Sequence, residues 1–427
     1  MRVLLLGSGG RESALAWALA RSSTVTEMVA VPGNPGIGRV ATLETADPTD
    51  VDAVVRLALW MRPDLVVVGP EAPLVAGVVD VLRAEGVAVF GPDTGAARIE
   101  ASKSYAKELM ERAGISTAAW RSFTSAPAAI AYLDEIGPPY VIKADGLAAG
   151  KGVSVTDDRQ EAVAAIEQCV VARRFGEAGA RVVIEEFLDG EEASLIAFTD
   201  GRALASCEPA QDYKRVLDDD RGPNTGGMGS YSPVPACPPE LTERILEEVL
   251  VPMVRATSEV GAPFVGALYA GLALTGKGPK VVEFNARFGD PETQALIPRL
   301  KSDLGEIMLA CALGELDGTR LEWDERPCVS VVLSSGGYPG SHGTGFVITG
   351  EESAAAMDDA FVFHAGTAVA NGSLVTAGGR VFAVSALGDG YGGARARAYE
   401  AASLIEFEGR HMRTDIAARA ERVEGSG

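Results

Sequence analysis

The sequence predicts an α/β fold built on a parallel sheet, and three observations carry that expectation. Apolar runs of strand length alternate with helical stretches through the first hundred residues, the pattern of strand–helix–strand units. Gly and Pro punctuate the ends of those runs, at 7–10, 32–36, 69–73 and 91–92. The chain has 427 residues, 47% of them hydrophobic, enough for two to four packed domains.

The first element is a buried strand at 3–6, followed by the turn Gly7-Ser8-Gly9-Gly10 and a helix over 11–21. A glycine turn opening a helix leaves free backbone N–H groups that suit an anion. It is not a dinucleotide fingerprint, because Glu12 stands where the third glycine belongs and the next strand, 28–31, ends without an acid for a ribose. A phosphate of another ligand, or packing alone, remains for this turn. A strand at 64–68 leads into Gly69-Pro70-Glu71, a helix at 74–83 and a strand at 87–90. In parallel sheets ligands sit beyond the carboxyl ends of strands, so the loops at 7–11, 32–36 and 69–73 are expected on one edge. A single connecting helix is expected over 97–113, with Lys103 and Lys107 on it.

Acidic residues outnumber basic ones, 59 to 38, for a formal net charge of −21. Without a basic stripe, nucleic acid is not an expected partner, and small molecules are. The 5 cysteines form no CxxC pair, which fits a reducing cytosol. The apolar start is too short for a signal peptide, and no apolar run of about 18 residues is present to span a membrane.

Lysine is scarce, so lysines within glycine-rich segments stand out. The segment 141–155 reads as two strands joined by a glycine loop, with Lys143 and Lys151 at its ends and Gly150 and Gly152 beside the second. The GxxxxGK[ST] spacing of a Walker A loop is absent. A mobile loop of this kind can close over a triphosphate and exclude water. An ordinary hairpin with two solvated lysines would show the same pattern. A strand over 181–188 ends in Asp189-Gly190-Glu191-Glu192. The linker Glu185–Leu188 (Glu185, Glu186, Phe187, Leu188) could offer backbone groups to an adenine edge, and Glu192 or Glu191 could hold ribose hydroxyls.

Strands at 264–274 and 280–285 flank a turn. Alternation places Glu283 and Asn285 on one face, with Val282 and Phe284 on the other. A carboxylate and an amide oxygen so placed suit Mg²⁺ with phosphate oxygens completing its shell. Arg287 beside them suits a developing phosphoryl charge. A salt-bridged hairpin end is the alternative. The polar, glycine-rich stretch 211–231 is expected to be a long functional loop.

The order of motifs resembles the glycinamide ribonucleotide synthetase family: GSGGRE at 7–12, GPEAPLVAGVVD at 69–80, VIKADGLAAGKGV at 141–153, IEEFLDGEEAS at 184–194, QDYKR at 211–215, GPNTGGMG at 222–229, LYAGL at 268–272, VVEFNARFGDPETQ at 281–294, SSGGYPG at 334–340, FHAGT at 363–367 and GGRVFAVSALG at 378–388. The resemblance implies a Rossmann-like N-terminal domain (1–103), an ATP-grasp region (104–325, with a mobile subdomain about 122–192) and a small α+β C-terminal domain (326–427). It implies ligation of glycine to 5-phosphoribosylamine through glycyl phosphate, with ATP and Mg²⁺ or Mn²⁺, in a cytoplasmic monomer or weak dimer. Lys103, Lys143, Gly150, Lys151, Gly152, Glu185–Leu188 and Glu192 would then hold ATP, and Glu283 and Asn285 the metal. Gly9, Gly10, Arg11, Pro32, Gly33, Asn34, Glu71, Lys214, Thr225 and Gly226 would bind substrates. Arg287, Asp212, Asn224 and Asp290 would serve catalysis, with Asp212 and Asp290 gripping the glycine ammonium. Replacing Arg287 by alanine is expected to abolish ligation with the fold intact. Two positions depart from the family pattern: Ser13, where GREHA has histidine, and Tyr213, where QDHKR has histidine. Both leave open a different amine substrate.

Overall fold

The structure is a computed structural model that describes residues 1–148 and 152–425. Five parallel strands open the chain, in spatial order Thr42–Leu43, Glu27–Pro32, Arg2–Gly7, Leu65–Val68, Val89–Phe90. Leu4, Leu5 and Leu6 are fully buried in the central strand, and each such burial contributes about 1.5–3 kcal/mol. Strand order reverses between Arg2–Gly7 and Leu65–Val68, and the crevice of such a sheet opens there. The turns after these two strands therefore face a ligand. Gly7 makes the first turn possible: its φ is +126°, and a Cβ there would lie 2.5 Å from Glu12 Cγ.

Two expected helices are broken. Helix 74–83 is Glu71–Ala76 and Val78–Ala84, separated by Gly77 at φ +89°. Helix 97–113 is Thr94–Ala101 and Lys103–Ala113, because Ser102 is extended and its hydroxyl caps the second helix at the Tyr105 amide.

A four-stranded antiparallel sheet follows, in order Trp120–Phe123, Val182–Glu186, Tyr140–Ala144, Val153–Thr156. Helices Ala126–Ile136 and Arg159–Ile166 cover it through Ala129, Leu133, Ala162 and Ile166. A second antiparallel sheet has the order Leu204–Ser206, Gly190–Asp200, Val265–Thr275, Gly278–Asn285. The last large sheet has five strands: Gln211–Asp212, Gly229–Ser232, Cys328–Ser334, Arg380–Leu387 and Ala360–His364. It joins distant parts of the chain, since Gly229–Ser232 pairs with Cys328–Ser334.

The stretch 211–231 is thus not an irregular loop. Arg215–Leu217 pairs with Arg221–Asn224 as a hairpin, and the strands on either side enter the last sheet. No helix among the described residues is long and apolar enough to cross a membrane.

Candidate active site

A cleft of about 1240 Å³ is lined by both four-stranded sheets, by the crevice edge of the parallel sheet and by residues of the C-terminal 338–422 stretch. On one wall, Lys143 and Glu185 lie on neighbouring strands. Lys143 Nζ and Lys107 Nζ each stand 3.0 Å from Glu185 Oε2. Lys107 also donates to Thr117 Oγ1 at 2.7 Å, and Lys143 to the carbonyl of Val282 at 3.1 Å. That carbonyl is available because the ribbon is irregular there: Gly271 faces Glu283 but Leu272 faces Val281. Burial lowers the pKa of Lys107 to about 8 and also lowers that of Lys103, whose Nζ donates to Gly146 O at 3.1 Å. Concentrated, desolvated cations of this kind favour an anionic ligand.

Glu185 enters this wall as an internal counter-ion, rather than through a backbone edge, and its Oε1 is buried without a partner. Glu186 pairs with Lys280 at 2.8 Å, and its amide is used by Ala119. Phe187 and Leu188 line the cleft, and their amides donate no hydrogen bond among the described residues. Gly152 closes the glycine loop by accepting from the Ala144 amide at 2.8 Å. Gly150 and Lys151 lie outside the described residues.

Opposite stands the ribbon Val265–Thr275/Gly278–Asn285. It sets Glu283 across from Gly271 and Asn285 across from Tyr269, both lining the cleft. Neither side chain forms a hydrogen bond among the described residues. Burial would raise the Glu283 pKa, but Lys214, Lys143, Lys103 and Arg287 together hold it below its usual value, so the carboxylate is charged. No group of three or more His, Cys, Asp or Glu fit to hold a metal occurs among the described residues. Two hard oxygen donors without a full protein cage fit Mg²⁺, which retains water and phosphate oxygens.

Arg287 is anchored between two carboxylates, with Nη2 2.8 Å from Glu100 and Nε 3.3 Å from Glu71. Its pKa is raised, because these carboxylates outweigh burial. Asp212, Lys214 and Glu192 form a second charged group. Lys214 bonds Glu192 and lies 3.5 Å from Asp212. Burial pushes the Asp212 carboxyl up to about 7; Lys214 opposes this, and Glu292, Glu192 and Glu283 add to it.

On the crevice edge, Gly9 donates its amide to Glu12 at 2.6 Å, and Arg11 bonds Glu12 and the carbonyl of Phe288. Gly9, Arg11 and Glu71 line the cleft; Gly10, Pro32, Gly33 and Asn34 do not. Asn34 is a strut instead, donating to the carbonyls of Ser8 and His364. The crevice lies on the other side of the central strand, which is why the 32–34 loop is set back. Asp290 lines the cleft but is already held: Arg380 at 3.3 Å, Gln294 at 2.8 Å and the Arg11 amide at 3.4 Å surround its carboxylate. Arg380 and Arg11 outweigh burial and lower its pKa. Asn224, Thr225 and Gly226 also line the cleft, with Gly226 beside Asp290 through Arg380.

Several lining groups escaped the sequence reading. Glu292 is 3% exposed and accepts from Tyr269 at 2.9 Å and Ser194 at 3.1 Å. Ser194 lies two residues beyond Glu192 on the same strand face, so period-two counting could have found it. Tyr338 and Arg380 stand in the SSGGYPG and GGRVFAVSALG motifs, but nothing in those segments points them at this cleft. The two departures from the family pattern both face the C-terminal part of the chain. Ser13 Oγ accepts the His364 amide at 3.1 Å. Tyr213 Oη accepts the Ala417 amide at 2.9 Å, and its ring lies 4.7 Å beneath the Arg413 guanidinium.

Comparison with known proteins matches residues 1–100 to the phosphoribosylglycinamide synthetase N domain, 101–293 to its ATP-grasp (A) domain and 328–419 to its C domain. The chain is 51% identical to the phosphoribosylamine–glycine ligase of Mesorhizobium japonicum, over 97% of each chain. It is 50% identical to that of Pseudomonas aeruginosa, over 98% of each. A crystal structure of phosphoribosylamine–glycine ligase from Thermotoga maritima superposes with a TM-score of 0.85 at 35% identity, covering 98% of this chain and 100% of that one.

Proposed function

The chain belongs to the phosphoribosylglycinamide synthetase family, and we propose that it joins glycine to 5-phosphoribosylamine with ATP, releasing glycinamide ribonucleotide, ADP and phosphate. The observation that carries this reading is the opposition of two sets of groups in one cleft. Buried Lys107 and Lys143 and half-buried Lys103 face Asn285 and the ionised Glu283.

Glycine carboxylate is a poor electrophile. In the first half-reaction its oxygen attacks the γ-phosphorus; the O–P bond forms as the bond to ADP breaks. In the second, the amine lone pair attacks the acyl carbon, the C–O bond breaks, phosphate leaves with the electron pair, and the nitrogen loses a proton. The protein's work is positioning and charge neutralisation. Lys143, Lys103 and Lys151 hold phosphates, with Gly150 and Gly152 among the ATP-binding positions. The amides of Phe187 and Leu188 meet the adenine edge, and Glu192 the ribose. Glu283 and Asn285 hold Mg²⁺, which neutralises phosphate charge when bound. Arg287, fixed by Glu71 and Glu100, faces the transferring group. Asp212, with Glu292 beside it, takes the glycine ammonium, since Asp290 is occupied by Arg380. The Gly9–Arg11 turn receives the 5′-phosphate.

Ser13 and Tyr213 have packing partners in the C-terminal part, which supports phosphoribosylamine over a different amine. The same reading divides the chain after 103 and after 325, and makes it a cytoplasmic monomer or weak dimer with no nucleic-acid partner. The test is ADP release with ATP, Mg²⁺, glycine and fresh phosphoribosylamine, each omitted in turn. Turnover that does not depend on glycine would refute the reading.

A further inference from the structure

The turn 224–227 has its main chain held from outside its own region. The Gly226 amide donates to Tyr338 Oη at 2.9 Å, and its carbonyl accepts from Arg380 Nη1 at 2.6 Å. Arg380 Nη1 also donates to the carbonyl of Asp290 at 2.7 Å, and Nη2 lies 3.3 Å from the Asp290 carboxylate. One guanidinium thus joins two loops of the cleft. Gly227, at φ +110°, allows this: a Cβ there would lie 2.3 Å from Pro291 Cδ. Tyr338 and Arg380 are close neighbours: the tyrosine ring packs against Gly379, where a Cβ would come within 2.3 Å of it.

Thr225 donates both its amide (2.7 Å) and its hydroxyl (2.9 Å) to the main-chain carbonyl of Lys214, which ties the turn to its own hairpin through the backbone. On the other side, the Asp290 carboxylate meets the Arg11 amide of the crevice turn. Among the described residues, the hydrogen bonds of Arg380 and Tyr338 do not involve Lys103, Lys143 or Glu185.

We propose that Arg380 and Tyr338 are positioning residues for the amide-forming half-reaction, aligning the amine's binding loops with the acyl group while leaving acyl phosphate formation to the lysine and carboxylate walls. The proposal rests on the ligase reading above.

Two measurements separate the halves. Glycine-dependent positional isotope exchange in ATP reports acyl phosphate formation without any amine. The ratio of ADP released to amide formed reports capture by the amine. In Arg380→Met, exchange stays within about twofold of wild type while amide formation falls roughly 10–100-fold, the scale for a misplaced reactant, and ADP exceeds amide. The KM for phosphoribosylamine rises and that for ATP does not. Tyr338→Phe shows the same split, less strongly, and Arg380→Lys recovers part of the coupling. Should Arg380→Met fail to fold, Tyr338→Phe decides alone. Exchange and amide formation falling together, or an unchanged ADP-to-amide ratio, overturns the proposal. A wild-type protein that makes no amide overturns the ligase reading itself, whatever the variants do.

Discussion

Replacing Arg287 by methionine removes one cation from between two carboxylates. Glu100 is the more consequential partner: its side chain is 7% exposed, and the pair distance is 2.8 Å. Without Arg287, Glu100 keeps the Ala286 amide at 2.6 Å and the weaker attraction of Arg11. Breaking a buried pair by deleting one partner costs about 3–5 kcal/mol, since the other charge is left uncompensated. Glu71, 29% exposed, adds less because water screens it. The sign of the pH dependence follows. Burial already raises the Glu100 pKa, and Arg287 is the largest opposing influence, so its loss raises that pKa further. A carboxyl whose folded pKa lies above its unfolded value is penalised most above the folded pKa. The penalty fades as pH falls toward the unfolded value. Urea midpoints across pH about 5–8 should therefore show a stability defect that is largest at high pH. Adding Glu100→Gln should restore most stability but leave turnover down about 10²–10³-fold, the usual loss of one charge-stabilising donor. The reasoning fails if the single variant lies within about 0.5 kcal/mol of wild type at pH near 8, where ordinary surface changes fall. It fails equally if the defect grows as pH drops.

In the wild type, kcat/KM for glycine should rise with pH through about 7 as Asp212 ionises, and Asp212→Asn should lose that limb; a flat wild-type profile would refute the assignment. Glu283→Gln should raise the Mg²⁺ concentration for half-maximal ADP release about tenfold or more; an unchanged Mg²⁺ titration removes Glu283 from the metal site. Ser13→Ala leaves the buried His364 amide without its acceptor, so stability should fall by about 1–3 kcal/mol with the amine KM unchanged; a shifted KM with unchanged stability would show that Ser13 selects substrate.

The strand–turn–helix start was readable because parallel strands buried on both faces are short apolar runs, and Gly7 marks where one ends. Glu283 and Asn285 were readable because strand alternation has a fixed period. The breaks at Gly77 and Ser102 have local signals too, a glycine and a capping serine, which the apolar pattern outweighed. The ion pairs of Glu185 were not readable: its motif shows a strand end, but its partner Lys107 lies on a helix 78 positions earlier.

From the residues alone, then, come the alternating architecture, the paired strands 140–144 and 153–156 and the carboxylate ribbon, since each depends on spacing within one segment. The tertiary structure decided which charges are spent on one another and which remain for a ligand. Asp290 and Arg287 read alike as site residues, yet Arg380 holds the first, and Glu71 and Glu100 hold the second, across separations of 90, 216 and 187 positions. Coulomb attraction and desolvation depend on distance through space, and sequence separation carries no information about it.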